Sequence, residues 1–158
     1  MQSTQKLPTQ FLAKVASVET DGCWLWTASV NNEGYGKFTQ HGVKHYAHRF
    51  SYAALVGPIP EGMFVDHICF QRNCVNPAHL RLVTPKQNSE HREKAQANSK
   101  SGVRGVTWHK KRAKWRVSAG SGGVHFHGGY FDSLEEAAAA STALRQTVFT
   151  HDDHREAS

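Results

Sequence analysis

Cys69 and Cys74 are separated by four residues, and His79 follows Cys74 after four more. The remaining cysteine is Cys23. Three thiols cannot all pair within one chain, so a disulfide framework is not expected. Thiolates and imidazoles are the usual protein ligands of zinc, and a closed structural site takes four of them. Cys23, Cys69, Cys74 and His79 would complete such a tetrahedron and leave no free thiol. His48 or another histidine could stand in for Cys23, and buried reduced cysteines are the competing reading. A closed site would pin the loop after Ile68 to the N-terminal strand, a staple from which a small unit with little core gains most.

The 158 residues suffice for one compact domain or two small ones. A total of 19 Lys and Arg against 13 Asp and Glu leaves a charge of +6, which favours a polyanionic partner without naming it. Apolar residues make up 39%, enough to bury a core. There is no run of about 18 apolar residues, so no membrane span is expected. The opening MQSTQKLPTQFLAKV lacks the apolar stretch of a secretory signal. A cytoplasmic, non-secreted protein is expected.

Three stretches differ in character. Residues 1–20 are polar, with a short helix or arm around Phe11, Leu12 and Val15. Residues 21–91 hold all three cysteines, and residues 102–149 hold none. The stretch 92–101 reads as a helix end running into a linker. From Arg92 to Ser118, nine Lys and Arg face one acid, Glu93. The tail, 150–158, is polar and is expected to fray.

Within 21–91, Cys23–Trp26 is strand-like, with Trp24 and Trp26 expected in the core. Gly34–Phe38 and Val43–Tyr46 read as strands around a turn at Gln40-His41-Gly42. Ala47–Val56 has helical apolar spacing, ended by Gly57-Pro58-Ile59-Pro60-Glu61-Gly62. Met63–Ile68 and Leu80–Val83 are strands. Thr84 can cap a helix that opens on Pro85 and reaches about Ala95.

Asp66 beside His67 at a strand end sets an oxygen ligand next to a base, on opposite faces of the strand. Asn88 on the next helix could offer an amide oxygen to the same cation. Oxygen ligands suit magnesium. A neutral His67 could take a proton from water. His91, one turn after Asn88, could be a third ligand.

Residues 23–91 resemble the HNH nucleases, specifically the small phage- and intron-associated homing-type endonucleases. The match is carried by Cys23-Trp24-Leu25-Trp26, Gly34-Tyr35-Gly36, Ala47-His48-Arg49, Gly57-Pro58-Ile59-Pro60, Asp66-His67, Cys69, Cys74, Asn76-Pro77, His79-Leu80 and Asn88. The resemblance implies an α+β chain with a ββα-metal nuclease domain. It also implies His67 as general base, Asp66 and Asn88 as ligands of a catalytic Mg²⁺ or Mn²⁺, and hydrolysis of a DNA phosphodiester. Many relatives carry an asparagine that orients the base near where this chain has His79. The orienter is thus open among His79, Asn76, Asn73 and a backbone carbonyl.

The second unit reads strand, strand, strand, helix: Gly105–Trp108, Lys114–Ala119, a turn at Gly120–Gly123, Val124–Phe131, then a helix. Ser133 and Glu136 form a capping box ahead of that alanine-rich helix. Residues 102–149 resemble the DNA-binding domain of the plant ethylene-response-factor type, through Gly102-Val103-Arg104-Gly105-Val106, Lys114-Trp115-Arg116-Val117, Gly129-Tyr130-Phe131 and Ser133–Ala140. That resemblance implies a three-stranded antiparallel sheet packed on one helix and laid in the DNA major groove. Val106, Val117 and Phe131 would face the helix. Arg104, Thr107, His109, Lys111, Arg112, Trp115, Arg116 and His127 would be candidates for DNA contact. Thr107 and His109 stand where the plant domains commonly have arginine, so their base preference does not carry over.

The expected whole is a metal-dependent endonuclease for double-stranded DNA, encoded by a phage or mobile element and acting in the host cytoplasm. Its competitors are a DNA-binding regulator that has lost cleavage and a nuclease for RNA. One active site nicks one strand, so cutting both requires a homodimer or a second event.

Overall fold

The structure is a computed structural model that describes residues 7–18, 21–91, 95 and 98–150. The chain divides into two compact units, with the boundary between Pro85 and Lys86.

In the first unit, α1 (Thr9–Leu12) delivers Phe11 into the core. Strands β1 (Lys37–Gln40) and β2 (Val43–Tyr46) pair antiparallel, with Gln40 opposite Val43. The two residues between them, His41 and Gly42, both have positive φ (49° and 78°). That is the turn geometry whose twist suits a two-residue hairpin. Helix α2 (Ala47–Leu55) buries Ala47, His48, Ser51 and Tyr52, a one-sided pattern at helical spacing. Strands β3 (Phe64–His67) and β4 (Leu80–Val83) form a second antiparallel pair, and a 3₁₀ turn (Pro77–His79) leads into β4.

The core gathers Leu7, Phe11, Trp24, Trp26, Phe38, Ala47 and Val75. Phe11 sits 4.9 Å from the Trp26 ring and 5.0 Å from Phe38, ring centre to ring centre. Aromatic pairs at such separations add to what their burial already contributes. Trp24 and Trp26 are therefore core residues, as expected. Gly36 is required by close packing: a Cβ there would lie 2.7 Å from the Trp26 ring. The Cys23–Trp26 run is not a full strand. It makes single bridges, Leu25 with Cys74 and Trp26 with Val15.

In the second unit, β5 (Val106–His109), β6 (Lys114–Ser121) and β7 (Val124–Phe131) form an antiparallel sheet in that order. Helix α4 (Leu134–Val148) covers one face, through Val106, Val117 and Ala137 with Trp115, Phe131, Leu134, Ala140 and Leu144. The sheet is thus open on its other face among the described residues. The capping box is formed in full: Ser133 Oγ accepts from the Glu136 amide at 3.1 Å, and Glu136 accepts from the Ser133 amide at 3.4 Å. Strand β6 runs to Ser121, and the turn narrows to Gly122 and Gly123, with φ of 60° and 80°. Gly105 has φ of 75°, and a Cβ there would lie 2.7 Å from Ser141 Oγ. Helix α3 spans Pro85–Glu90. From Lys86 onward it counts with the second unit, ahead of the polar 92–101 stretch. α3 thus ends at Glu90, short of the expected end near Ala95, and residues 1–6, 19–20, 92–94, 96–97 and 151–158, with half of the expected linker and nearly all of the tail, lie outside the described residues.

Candidate active site and metal centre

Asp66 and His67 end strand β3, directly opposite Arg81 and Leu80 of β4. The pairing register explains the first partner: Arg81 Nε donates to Asp66 Oδ2 at 3.2 Å. Both Asp66 and His67 are almost fully buried. His67 Nε2 lies 3.0 Å from the backbone carbonyl oxygen of Cys74. A carbonyl only accepts, so Nε2 carries the proton and Nδ1 is left as the basic nitrogen. The His67 ring is therefore held by a backbone carbonyl, one of the four alternatives the sequence left open. Asn76 is occupied elsewhere: its Oδ1 accepts from the Ala78 amide and its Nδ2 donates to the Gly22 carbonyl.

Burial pushes the His67 pKa below the ordinary histidine value, and the Cys74 carbonyl only partly offsets this. Burial thus favours the neutral form of the ring. The ring is packed by aromatic rings that sequence reasoning did not assign to the site. The His48 ring centre is 4.7 Å away and that of Tyr35 is 5.9 Å away. His48 is held down to about 3, first by burial and then by His67. Its Nδ1 is buried without a hydrogen-bond partner among the described residues. The only sequence signal for His48 lay in the Ala47-His48-Arg49 run; its place beside His67 comes from α2 packing against the strands.

The ligand atoms of Cys23, Cys69, Cys74 and His79 all lie within 4.8 Å of one another. Cys23 Sγ is 3.5 Å and Cys74 Sγ 3.7 Å from His79 Nδ1. Ligands on a tetrahedral zinc with bonds of about 2.3 Å stand roughly 3.8 Å apart, so the donor set and its spacing fit that metal. Cys23, not His48, completes the set. The hydrogen bond between the two thiols pushes the Cys69 pKa down and the Cys74 pKa up, so one proton is shared within the pair. Among the described residues this is the one group of three or more His, Cys, Asp and Glu side chains suited to an ion. His79 belongs to this cluster, while the Cys74 carbonyl is the group bonded to His67. Asn88 is half-buried on α3, and His91 is buried one residue past that helix.

Thr107, His109, Arg116, His127 and Tyr130 fall on the open face of the β5–β7 sheet by strand alternation and register. Lys111 and Arg112 are exposed in the β5–β6 turn, and the Arg112 guanidinium lies 4.6 Å from the Tyr130 ring centre. Two candidates differ from expectation. Trp115 packs on the α4 side, with Val117 and Phe131, because odd-numbered β6 residues from 115 face the helix. Arg104 turns inward: its Nη1 donates to the Glu90 carbonyl at 2.8 Å and its Nη2 to the Ser89 carbonyl at 3.1 Å.

Residues 45–90 match the HNH endonuclease family. Protein 7.7 of Escherichia phage T7 is 44% identical over 70 residues, which cover 44% of this chain and 54% of that protein. Protein 3.8 of the same phage is 38% identical over 84 residues, covering 52% of this chain and 67% of that protein. An uncharacterised HNH endonuclease of Acanthamoeba polyphaga mimivirus is 37% identical over 107 residues, covering 67% of this chain and 54% of that protein. The chain spans about half the length of protein 7.7 and of the mimivirus protein. No solved structure matches it. The buried Asp66-His67 pair lies inside the matched segment, and with it the chain carries an HNH endonuclease domain and belongs to one family with T7 protein 3.8.

Proposed function

We propose that this chain is a metal-dependent endonuclease for double-stranded DNA, of the site-preferring homing type. The observation that carries this reading is His67: buried, neutral, and held through Nε2 by the Cys74 carbonyl so that Nδ1 is the proton acceptor. Nδ1 takes the proton from the attacking water. Asp66, fixed by Arg81, and Asn88 would hold the Mg²⁺ or Mn²⁺, with His91 as the third ligand. A cation held by these residues would supply the charge that polarises the scissile phosphate and stabilises the leaving 3′ oxygen. The Cys23, Cys69, Cys74 and His79 cluster takes a structural zinc that holds the loop supporting His67.

The second unit is the DNA anchor, a sheet of the ethylene-response-factor type. The basic and aromatic residues on its open face support this role, with Arg112, Arg116, Lys111, His109, Thr107 and His127 as contacts. The relatives named above support a phage origin and action in the host cytoplasm. Among the described residues no helix is long and apolar enough to cross a membrane. Cutting both strands calls for a homodimer or a second event.

Supercoiled plasmid incubated with and without Mg²⁺, beside His67→Ala, tests the reading. Nicking or linearisation by the unaltered chain only with metal is the expected result. Binding without cutting in any divalent metal would establish the regulator instead, and preferential cutting of RNA would redirect the substrate.

A further inference from the structure

The run Gly34-Tyr35-Gly36 stands out in the sequence, yet neither the cysteine–histidine cluster nor the Asp66-His67 pair uses it. Its middle residue lies beside the base: the Tyr35 ring centre is 5.9 Å from that of His67. The backbone holds Tyr35 there. Its amide donates to Asn31 Oδ1 at 2.8 Å, and its carbonyl accepts from the Asn31 amide at 2.9 Å. Gly34 makes the turn with a φ of 91°, which a residue with a side chain would adopt only under strain.

Arg72 lies over the Tyr35 ring. Its guanidinium is 5.7 Å from the ring centre, and its Nη1 donates to the Glu33 carbonyl at 2.9 Å. Arg72 belongs to the loop between Cys69 and Cys74, two residues before the carbonyl that is bonded to His67. It is nevertheless exposed. Among the described residues no carboxylate forms an ion pair with it, whereas Arg81 is paired with Asp66. An exposed arginine is ordinarily a solvated charge on a mobile stem. This one is held at two points, so less side-chain freedom remains to be lost when a ligand binds. A guanidinium has five N–H donors in a planar fork, and Glu33 takes one of them. The others match the oxygens of a phosphate, two at a time. The charge also reaches the base: burial is the main cause that lowers the His67 pKa, and Arg72 acts in the same direction.

We propose that Arg72, set by the Tyr35 ring and the Glu33 carbonyl, grips the DNA phosphate that is cut beside His67. This deepens the nuclease reading and rests on His67 as its base. The fork holds the phosphate against the nitrogen that takes the proton from water. It also faces the negative charge that grows on the phosphate oxygens during attack. That charge is greatest in the transition state, so loss of Arg72 falls harder on the rate than on DNA affinity.

The experiment uses the full chain with Arg72→Ala, Arg72→Lys and His67→Ala, and with His67→Ala and Arg72→Ala combined. Plasmid cleavage in Mg²⁺ at saturating protein gives the rate. Gel shifts of a linear DNA duplex by the two proteins that carry His67→Ala give affinity across a salt series. Arg72→Ala is expected to slow cleavage by about two to three orders of magnitude, the range for removing a donor to developing charge. Arg72→Lys, which keeps the charge and loses the fork, should fall in between. Added guanidinium ion should restore part of the rate to Arg72→Ala and none to His67→Ala. In the gel shifts, loss of Arg72 should reduce the slope of log affinity against log salt by about one. An unchanged slope overturns the phosphate contact, whatever the rate does. A reduced slope with cleavage at the unaltered rate places the contact away from the cut and overturns the proposal as well. Should the unaltered chain cut in no divalent metal, the nuclease reading fails, and the slope still decides whether Arg72 holds a phosphate. Should Arg72→Ala fail to fold, Arg72→Lys decides: a rate equal to that of the unaltered chain overturns the role of the fork.

Discussion

Cys74 serves His67 twice over: its carbonyl oxygen lies 3.0 Å from His67 Nε2, while its thiol belongs to the four-residue cluster with Cys23, Cys69 and His79. One residue thus ties His67 to the cysteine–histidine cluster. The amide of Ile68, next to His67, also donates to the His79 carbonyl at 2.9 Å. His67 is therefore held from both sides by residues of the cysteine–histidine cluster.

Loss of the cluster should disable the base without touching it. Cys69→Ala is expected to lose stoichiometric zinc, measured by atomic absorption. Cleavage should fall about tenfold or more, as when a group that orients a catalytic residue is removed. Retained zinc with full cleavage would separate the cluster from the base.

His67→Ala should lower the cleavage rate by roughly two to four orders of magnitude, the range for loss of a general base. DNA affinity in a gel-shift assay should hardly change, because the buried ring contributes little contact surface. A parallel loss of affinity would argue that the variant has misfolded.

Acid should destabilise this fold through its buried imidazoles. Burial depresses the pKa of His67 and holds that of His48 at about 3, against 6.5 for an ordinary histidine. The unfolded chain then binds more protons than the folded one below about pH 6.5. Stability is complete above that pH and falls as pH drops toward the folded values. For His48 alone the loss is of the order of a few kcal/mol over the whole window. His48→Phe keeps a ring and removes the titration, so its urea-unfolding free energy should depend less steeply on pH between 6.5 and 4. An unchanged slope would mean that His48 is not the neutral buried group described here.

On the sheet, exposed cations and the inward tryptophan should part company. Lys111→Ala is expected to weaken DNA binding and reduce the slope of affinity against salt by about one counterion. Trp115→Ala should instead lower the melting temperature, at a cost of up to about 3 kcal/mol, because its ring packs against Val117 and Phe131. Should Trp115→Ala leave stability intact and abolish binding, the assignment of sheet faces is wrong.

Gly105 offers a sharper test of packing. Its φ of 75° is strained for any other residue, and a Cβ would also meet the Ser118 carbonyl oxygen at 2.8 Å. Gly105→Ala should therefore destabilise the sheet unit by more than about 1 kcal/mol, read by chemical denaturation. A neutral effect would mean that the loop relaxes freely.

Much of this molecule was legible in local patterns. Ser133 and Glu136 announced the start of α4, Gly122 and Gly123 lay in the expected turn, and Cys69-x₄-Cys74-x₄-His79 announced the cluster. Each depends on atoms a few residues apart, where backbone geometry leaves few outcomes. Strand faces were less legible. A side chain such as Trp115 is both a good core residue and a good base-stacking residue, and only register decided which. Arg104 was likewise a plausible DNA contact until the helix end it binds was in place.

The sequence by itself marked most of the strands and helices, the capping box and the spacing of Cys69, Cys74 and His79, while the structure sets the boundary between the units at Pro85 and Lys86 rather than in the 92–101 stretch. Only the tertiary structure decided that Cys23 completes the cluster, that the Cys74 carbonyl orients His67, and that His48 packs against it. Those relationships join positions far apart in the chain. A carbonyl is common to every residue, so no residue type marks the one that will be used. The choice is made by how strands and helices pack their buried faces, and that becomes definite only when the core closes.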